Sequence, residues 1–339
     1  MINLYIKDGK SAGYFDAVSV IKAGYIFNYI TGGRGIGKTF GFLKYFIDNK
    51  IPFILMRRTQ TEADLQGDYI TSSLKPHLLR NKIQAKFTKF AGGKLTSVTD
   101  QDGAVICVIC ALSTIASLRG IDLSEFGTII YDEFITEPHV KKIKAEGQAL
   151  ENAYETINRN RELDGLPPVR LFCLSNSLNL ANDIFIYRDL LPYAEKLIGS
   201  GKEIAIPDER TLLIIAQHSP ISERKAGTAL YQSASEEYAK MAISNKFILN
   251  DFTYVRMIKN LNEYKCVCAV GDRFIYKHKS NGQYYVCDIR AQTKNTYTNS
   301  YSDLQRFRRE RWKIYVKYLD GFVRFDTYQS VALFEKYYK

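Results

Sequence analysis

The sequence predicts an α/β fold in which helices cover both faces of a mainly parallel sheet. Five short apolar runs, typical of strands buried on both faces, alternate with longer polar or helical stretches over the first 195 residues. The residue composition changes after residue 245, where aromatic and basic residues are interleaved. That change predicts a second, smaller α+β domain.

The five runs predict strands at residues 25–31, 51–58, 104–110, 128–131 and 169–174. The first run leads into a glycine-rich segment. Phe40, Leu43 and Ile47 then recur at the spacing of one helix face, so a helix is expected to follow that segment directly.

The second half of the chain predicts a connector followed by a hairpin. Residues 195–244 are less regular and contain one predicted helix. Residues 274–277 and 283–289 predict two strands, because the Asn-Gly pair at 281–282 is a strong signal for a hairpin turn. A helix is predicted next, at residues 302–319, with Ser302 as its N-cap.

Positive charge is concentrated at the C-terminal end. The chain has 339 residues and a net charge of +11, and residues 245–339 contain 18 Lys and Arg against nine Asp and Glu. A chain of this length suits two domains. The predicted division is a domain at 1–195, a connector at 196–244 and a basic domain at 245–339.

The composition excludes several classes of protein. With 46% hydrophobic and 24% charged residues the chain is expected to fold, and it has neither an apolar run long enough for a membrane span nor a signal peptide. A soluble protein that is not secreted is therefore predicted. The six cysteines lie mostly in apolar runs, and the C-x-x-C pair Cys107 and Cys110 has no matching second pair, so reduced core thiols are favoured over zinc ligands or disulfides.

The glycine-rich segment, GGRGIGKT at 32–39, fits the phosphate-loop pattern G-x-x-x-x-G-K-[ST]. Small residues let successive backbone N–H groups wrap a phosphate chain at the positive end of the following helix. Lys38 is expected to reach the β- and γ-phosphates and Thr39 to ligate Mg²⁺. The alternative is a glycine turn before an unrelated helix, which leaves the flanking strand and the terminal Lys-Thr unexplained. The predicted nucleotide contacts are Gly32, Gly33, Arg34, Gly35, Ile36, Gly37, Lys38 and Thr39.

Two adjacent acids follow the strand predicted at 128–131. An acid at the end of a strand next to the phosphate-loop strand can hold Mg²⁺, which is the role expected of Asp132. Glu133 is expected to polarise the attacking water. The alternative is a solvated acidic turn. The 94-residue gap from Lys38 to Asp132 leaves room for an inserted strand and helix, which favours an additional-strand P-loop ATPase.

Three more polar residues are candidates for the same reaction. Asn176 follows the strand predicted at 169–174 and can sense the γ-phosphate or the attacking water, although it can equally cap a turn. Arg159 and Arg161 lie on a polar segment before that strand. Such arginines stabilise the transferring phosphate of a neighbouring subunit or form a solvated basic face.

Together these residues resemble the DNA-packaging ATPases, or encapsidation proteins, of phi29-like tailed phages. The resemblance extends over most of the chain. Its motifs are GGRGIGKT at 32–39, MRRTQTE at 56–62, TIIYDEFI at 128–135, NRNRE at 158–162, CLSN at 173–176 and GFVRFD at 321–326. Many ATPases share motifs like the first and third, whereas the ordered set is far more specific.

The resemblance implies a homo-oligomeric ring, a pentamer in this family, that docks at the portal of an empty procapsid. The ring would use ATP and Mg²⁺ to pump double-stranded DNA into the procapsid, in the cytoplasm of the infected bacterial host. Some members of the family work with a phage-encoded packaging RNA.

The resemblance also implies roles by matching position. Lys38 and Thr39 would bind phosphate and Mg²⁺, Asp132 would be the metal-side acid and Glu133 the catalytic glutamate. Arg159 falls where the family has an arginine finger that acts in trans. Arg119 would act across the subunit interface, at a position where the family has Lys.

In this family the C-terminal domain resembles an RNase H-like nuclease that has lost its catalytic acids. A two-metal nuclease needs several converging carboxylates. Of the nine acids after residue 245, only Asp272 and Asp288 lie near predicted strands. A nucleic-acid-binding domain without nuclease activity is therefore favoured.

The helix predicted at 302–319 carries a dense basic surface, and half of the chain's 24 tyrosines lie after residue 245. This composition suits contacts with phosphate and sugar of DNA or RNA, irrespective of sequence. The alternative is a solvated face with Trp312 in the core. The predicted nucleic-acid contacts are Arg306, Arg308, Arg309, Arg311, Lys313 and Lys317.

Two other functions remain open at this point. One is a large terminase whose C-terminal domain cuts DNA. The other is a nucleotide-gated nucleic-acid-binding switch with little hydrolysis, against which Glu133 argues.

Overall fold

The chain forms two sheets, one in each of two units, Met1–Ile248 and Leu249–Lys339. The computed structural model describes residues 2–115, 120–135, 143–176, 180–226, 228, 255, 256, 258 and 260–338. Among these residues, no helix is both long enough and apolar enough to cross a membrane.

The first unit alternates strands and helices. Its elements are α1 Ala17–Lys22, β1 Phe27–Gly32, α2 Lys38–Asp48, β2 Phe53–Arg57, α3 Gln60–Asp64, α4 Gln66–Ser73, α5 Lys75–Arg80, β3 Lys86–Phe90, β4 Leu95–Thr99, β5 Val105–Ala111, α6 Leu112–Ile115, β6 Thr128–Asp132, α7 Glu146–Asn158, β7 Arg170–Asn176, α8 Asp183–Tyr187, α9 Leu191–Ser200, β8 Ile204–Asp208, β9 Thr211–Ala216 and α10 Pro220–Ala226.

The sheet of the first unit has the order β3-β4-β5-β2-β6-β7-β1-β9-β8. The six strands from β5 to β9 in this order are parallel, and β3, β4 and β8 add antiparallel edges. The prediction of a mainly parallel sheet is confirmed. All five predicted strands are present, and each end lies within two residues of its predicted position.

Packing of α2 on the sheet fixes the glycine-rich loop that precedes it. The helix buries Phe42, Leu43, Phe46 and Ile47, and the rings of Phe42 and Phe172 lie 4.9 Å apart. Each such side chain stabilises the packed helix by about 1.5–3 kcal/mol. Burial of this face therefore holds the start of α2 against the carboxyl ends of the strands.

The prediction of a connector from residue 196 is wrong for its first part. Strand β9 is buried along its whole length and pairs in parallel with β1, from Phe27 opposite Thr211 to Gly32 opposite Ala216. The apolar run TLLIIA belongs to the sheet because its backbone groups bond the phosphate-loop strand. The rest of the predicted connector, 229–244, lies outside the described residues.

The second unit contains β10 Tyr264–Val270, β11 Arg273–His278, β12 Tyr284–Cys287, β13 Thr296–Tyr297, α11 Tyr301–Leu319, β14 Val323–Phe325 and α12 Tyr328–Tyr338. Its sheet has the order β13-β10-β11-β12-β14, and the predicted hairpin is the antiparallel pair β11 and β12. Helices α11 and α12 pack Phe307, Ile314 and Phe334 on this sheet. The unit is α+β, and its likeness to a nuclease stays a prediction.

Helix α11 differs from its prediction in two ways. Its N-cap is Ser300, whose side chain accepts a hydrogen bond from the Asp303 N–H, so the helix begins before the predicted cap Ser302. The helix is also interrupted at Arg311, where φ is −118° and ψ is 16°. Trp312 is 54% exposed, so it does not fill the core.

Candidate active site

The glycine-rich loop joins β1 to α2, and three of its glycines are required, two by their backbone conformation and one by close packing. Gly35 and Gly37 have φ values of 69° and 93°, in the left-handed region that favours glycine, and Gly37 is the N-cap of α2. A Cβ on Gly32 would lie 2.8 Å from the Cβ of Ala216 in β9. The pattern seen in the sequence therefore reflects a tight turn packed against a neighbouring strand.

Lys38 is the first residue of α2 and is only 6% exposed. Its Nζ donates hydrogen bonds to the carbonyl oxygens of Gly32 and Gly33, at 3.1 and 2.9 Å. These bonds bend the side chain back over its own loop. A buried ammonium in this position is available to the phosphates of a nucleotide that the loop would wrap.

Thr39 and Asp132 meet across the sheet edge, where the Thr39 hydroxyl donates to Asp132 Oδ1 at 2.7 Å. Asp132 is the last residue of β6 and is 5% exposed. A hydroxyl and a carboxylate side by side are oxygen ligands of the kind that Mg²⁺ prefers. The two residues predicted to hold the metal are thus brought together and fit it.

Arg57 is a residue of the site to which the sequence assigned no role. At the end of β2, its Nη1 lies 2.8 Å from Asp132 Oδ2, and its Nη2 donates to Glu133 Oε2. Glu133 has a φ of 56° and a side chain that is 52% exposed. One guanidinium therefore clamps both acids. Its position in the quoted motif MRRTQTE, at the carboxyl end of a strand, was the available signal.

The electrostatics of Asp132 agree with a nearby cation. Burial raises the pKa of Asp132, although Arg57 and the Thr39 hydroxyl act in the opposite direction. A divalent cation would favour the charged form of this carboxyl. Arg57 supplies part of that positive charge in this structure.

Asn176 lies between the loop and the acids. The expectation that the strand of Asp132 is next to the phosphate-loop strand is wrong, because β7 separates β6 from β1. Asn176 ends β7 opposite Gly32, and its Oδ1 is 3.5 Å from Lys38 Nζ. Strand β7 thus places a polar side chain beside the lysine that would bind phosphate.

These groups line one cleft of about 1270 Å³. Its walls include Arg34, Lys38, Thr39, Arg57, Asp132, Glu133 and Asn176. Adjacent to the loop it extends along Tyr14 and Phe40. The cleft is large enough for a nucleotide, and Arg57, Asp132 and Glu133 lie where strands β2 and β6 end.

The chain is similar to known proteins over most of its length. A family profile described as Podovirus DNA encapsidation protein (Gp16) matches residues 9–336. The chain belongs to the podovirus DNA encapsidation protein family. The prediction of a DNA-packaging protein related to those of phi29-like phages is confirmed.

The chain is also similar to individual DNA packaging proteins of Bacillus phages. A DNA packaging protein of Bacillus phage B103 is 28% identical over 297 residues, which are 83% of each chain. That of Bacillus phage phi29 is 26% identical over 323 residues, 89% of this chain and 90% of the other.

A solved structure of the bacteriophage Phi-29 viral genome packaging motor assembly has the same fold, with a TM-score of 0.66 and 21% identity. It covers 96% of this chain and 100% of that one.

Arg159 lies outside the cleft, at the C-terminal end of α7. Its backbone has φ 43° and ψ −126°, and its Nη2 donates to the carbonyl of Ile121 at 2.6 Å. Its Nη1 is 3.6 Å from Asp122 Oδ1. Arg161 is 9% exposed and its Nε donates to the Pro167 carbonyl at 3.0 Å, so this second guanidinium is tied into the fold.

Arg119, the other predicted residue for an intersubunit role, lies outside the described residues. The six cysteines are free thiols, and all but Cys266 are buried. Burial raises the pKa of Cys110 to about 12. The five buried thiols belong to the core, as predicted.

The six predicted nucleic-acid contacts on α11 have different surroundings. Arg308 Nε donates to the Tyr337 carbonyl at 2.7 Å, and Arg311 Nε donates to the Tyr297 hydroxyl at 3.2 Å. Arg306 donates to the Thr296 carbonyl at 3.0 Å. These three guanidinium groups form hydrogen bonds within their own unit. Fewer of the six predicted residues are therefore available for contact with nucleic acid.

The other three basic groups of α11 lie after or beside the interruption. Lys317 stacks on the Phe322 ring at 4.8 Å and is 3.7 Å from Asp320. Arg309 and Lys313 are exposed, flank the interruption at Arg311, and pair with none of the residues that the structure describes. They form the most available cationic pair on this helix.

Proposed function

We propose that this encapsidation protein is an ATPase that drives double-stranded DNA into a procapsid. The observation that carries the proposal is the meeting of Lys38, Thr39, Asp132 and Glu133 in one cleft, with the Thr39 hydroxyl 2.7 Å from Asp132 Oδ1. Phosphate, metal and water chemistry each have a residue of the required kind there.

Binding of ATP rests on the loop. The backbone N–H groups of residues 32–39 would surround the phosphates, and Lys38 would exchange its two loop carbonyls for phosphate oxygens. Thr39 and Asp132 would hold Mg²⁺, which when bound neutralises the charge of the β- and γ-phosphates. The neighbouring Asn176 amide is within reach of the same phosphate end of the cleft.

Hydrolysis rests on Glu133. Its carboxylate is half exposed and projects from the turn directly after the metal-side acid, so it can accept a proton from an attacking water. Arg57 binds the same carboxylate in this structure. Glu133 therefore acts as a base only when that ion pair is loosened.

A ring of copies, a pentamer by family resemblance, would let Arg159 act on the site of a neighbouring subunit. In support, Arg159 lies at a helix end outside its own cleft and its side chain is 36% exposed, whereas Arg161 is buried. Arg119 is proposed for the same interface. An arginine supplied in trans stabilises the charge that develops on the transferring phosphate.

The second unit would bind the double-stranded DNA without cutting it. Arg309 and Lys313 are the first candidates for contact with DNA phosphates, and with a packaging RNA if this phage uses one. Assembly on the portal of a procapsid would take place in the cytoplasm of the infected host.

ATP turnover by Glu133→Gln tests the proposal. The variant should bind ATP as tightly as the parent chain but lose turnover by at least about a hundredfold, since general base catalysis contributes roughly 10²–10⁴. Glu125→Gln, a change at an exposed acid outside the cleft, is the matched control and should turn over normally. Normal hydrolysis by Glu133→Gln would remove its assigned role, and no hydrolysis by the parent chain would favour the nucleotide-gated switch.

A further inference from the structure

A second charged cluster, not part of the cleft, lies buried beside the acids. Arg58 binds Glu146 with two bonds, from Nε to Oε1 at 2.8 Å and from Nη2 to Oε2 at 2.9 Å. The Tyr131 hydroxyl donates to the same Glu146 Oε1 at 2.8 Å. Arg58 and Glu146 are each 2% exposed and Tyr131 is fully buried. Burial raises the pKa of Tyr131, so its hydroxyl stays a donor.

This cluster is joined to the cleft through neighbouring residues of two strands. At the end of β2, Arg57 binds Asp132 and Glu133, and Arg58, the residue directly after the strand, binds Glu146. On β6, Tyr131 binds Glu146 and the next residue, Asp132, binds Thr39 and Arg57. Two adjacent backbone links thus connect the acids of the cleft to Glu146.

Glu146 in turn begins the helix that ends before Arg159. Helix α7 spans 13 residues, from Glu146 to Asn158, and is therefore about 20 Å long. Leu150, Ala153 and Ile157 form its buried face. Because Glu146 and Arg159 lie at opposite ends of this one packed helix, a displacement of Glu146 would reach Arg159 through it.

The chemistry of the cluster favours orientation over stability. A buried ion pair stabilises a fold no better than apolar side chains of the same volume, because removing both charges from water offsets their attraction. The planar guanidinium fork, however, fixes the direction of its carboxylate partner. Packing alone would anchor α7 on the sheet, whereas the fork fixes its first residue relative to β2 and β6.

We propose that Arg58, Tyr131 and Glu146 are positioning residues that set α7, and through it Arg159, according to the arrangement of Arg57, Asp132 and Glu133. The inference rests on the proposed function. When the Arg57 clamp on the acids loosens, the shift of β2 and β6 at residues 57–58 and 131–132 moves Glu146. The arginine offered to the neighbouring subunit is thereby tied to the state of the subunit's own cleft.

A double-mutant cycle on the full-length chain, assembled on procapsids with DNA, tests this coupling. The variants are Glu146→Gln, Arg159→Ala and the two together, and the readouts are kcat and KM for ATP. We expect Glu146→Gln to lower kcat about tenfold with KM nearly unchanged, and to lower it less than about twofold when Arg159 is already Ala. Glu155→Gln, at an exposed position of α7, should change neither constant.

Two changes keep the test decisive if Glu146→Gln folds poorly. Tyr131→Phe removes one hydroxyl, and the paired variant Arg58→Met with Glu146→Met removes both charges while preserving volume. Tyr131→Phe and the paired Met variant should each retain nucleotide affinity, and each should lower kcat only when Arg159 is present.

Equal losses with and without Arg159 would overturn the inference, because they would show a role independent of that residue. Full activity of the paired Met variant would overturn it as well. Failure of the proposed function is distinguishable, since the parent chain would then show no ATP turnover at all.

Discussion

The cationic groups of the cleft and those of α11 have contrasting surroundings. In the cleft, Lys38 and Arg57 are buried, and each is bonded to named atoms of the loop or of the acids. On α11, Arg309 and Lys313 lie on an exposed face, pairing with none of the described residues, while Arg308 is bonded into its unit.

This difference indicates two ways of binding an anion. Buried groups with fixed partners can recognise one small ligand in one orientation, because their positions are set before it arrives. Exposed groups on a helix can contact any stretch of a polyanion, since phosphate contacts carry no sequence information. The net charge of +11 is a poor guide to either, because it counts both kinds equally.

The largest effect is expected from removing the fixed cation Arg57. In Arg57→Ala the buried Asp132 loses its partner, which should lower the free energy of unfolding by about 3–5 kcal/mol. The pKa of Asp132, already raised by burial, should rise further, so the folded variant binds a proton at Asp132 more tightly than the unfolded chain does. The variant should therefore keep most of its stability at acidic pH and lose it as the pH increases through that pKa. Denaturant unfolding at acidic and at neutral pH measures the loss of stability and its pH dependence.

The matched control for that change is Lys44→Ala. Lys44 also lines the cleft, but its ion pair with Asp48 is on the surface of α2 and should contribute less than about 1 kcal/mol. If Arg57→Ala were as stable as Lys44→Ala, the acids would not need the clamp, and the contrast between the two regions would disappear.

A smaller effect is expected on α11, and it concerns binding. Replacing Arg309 and Lys313 together by Ala should reduce the slope of log Kobs for DNA against log salt by about 0.9 for each contact removed, with no loss of ATP binding. Arg308→Ala is the contrasting variant and should lower the stability of the second unit by about 1 kcal/mol while leaving the slope unchanged. The salt dependence of DNA binding separates these outcomes.

The smallest effect concerns the thiols. Cys266 is the one cysteine that is not buried, so a thiol-alkylating reagent should modify it first. Cys107, Cys110 and Cys173 are buried, and burial raises the pKa of each thiol, so they should react only on unfolding. Mass spectrometry after limited alkylation measures the order, and early modification of Cys110 would contradict a closed core.

Sequence reasoning was strongest where local backbone chemistry decides the structure. The phosphate loop, the acids Asp132 and Glu133, and the end of β7 at Asn176 follow from glycine placement and from short apolar runs, which need no long-range information. Their meeting in one cleft was predictable because carboxyl ends of parallel strands share one edge of a sheet.

The remaining features depend on contacts distant in sequence. The position of β7 between β1 and β6 depends on strand order, and the sequence predicts a connector where β9 lies because the pairing of β9 with β1 joins residues about 180 positions apart in the chain. The pairing of Arg57 with the acids, and of Arg58 with Glu146, is also visible only in the folded structure. From the sequence alone, two neighbouring arginines cannot be assigned to their different acidic partners.

The central claim is that hydrolysis in this cleft moves DNA. Its most direct test measures DNA protected inside purified procapsids together with ATP consumed, for the parent chain and for Glu133→Gln. The parent chain should protect DNA in proportion to the ATP it hydrolyses, and Glu133→Gln should bind ATP and protect none. Packaging by Glu133→Gln at the parent rate, or ATP hydrolysis by the parent chain without protected DNA, would contradict the account.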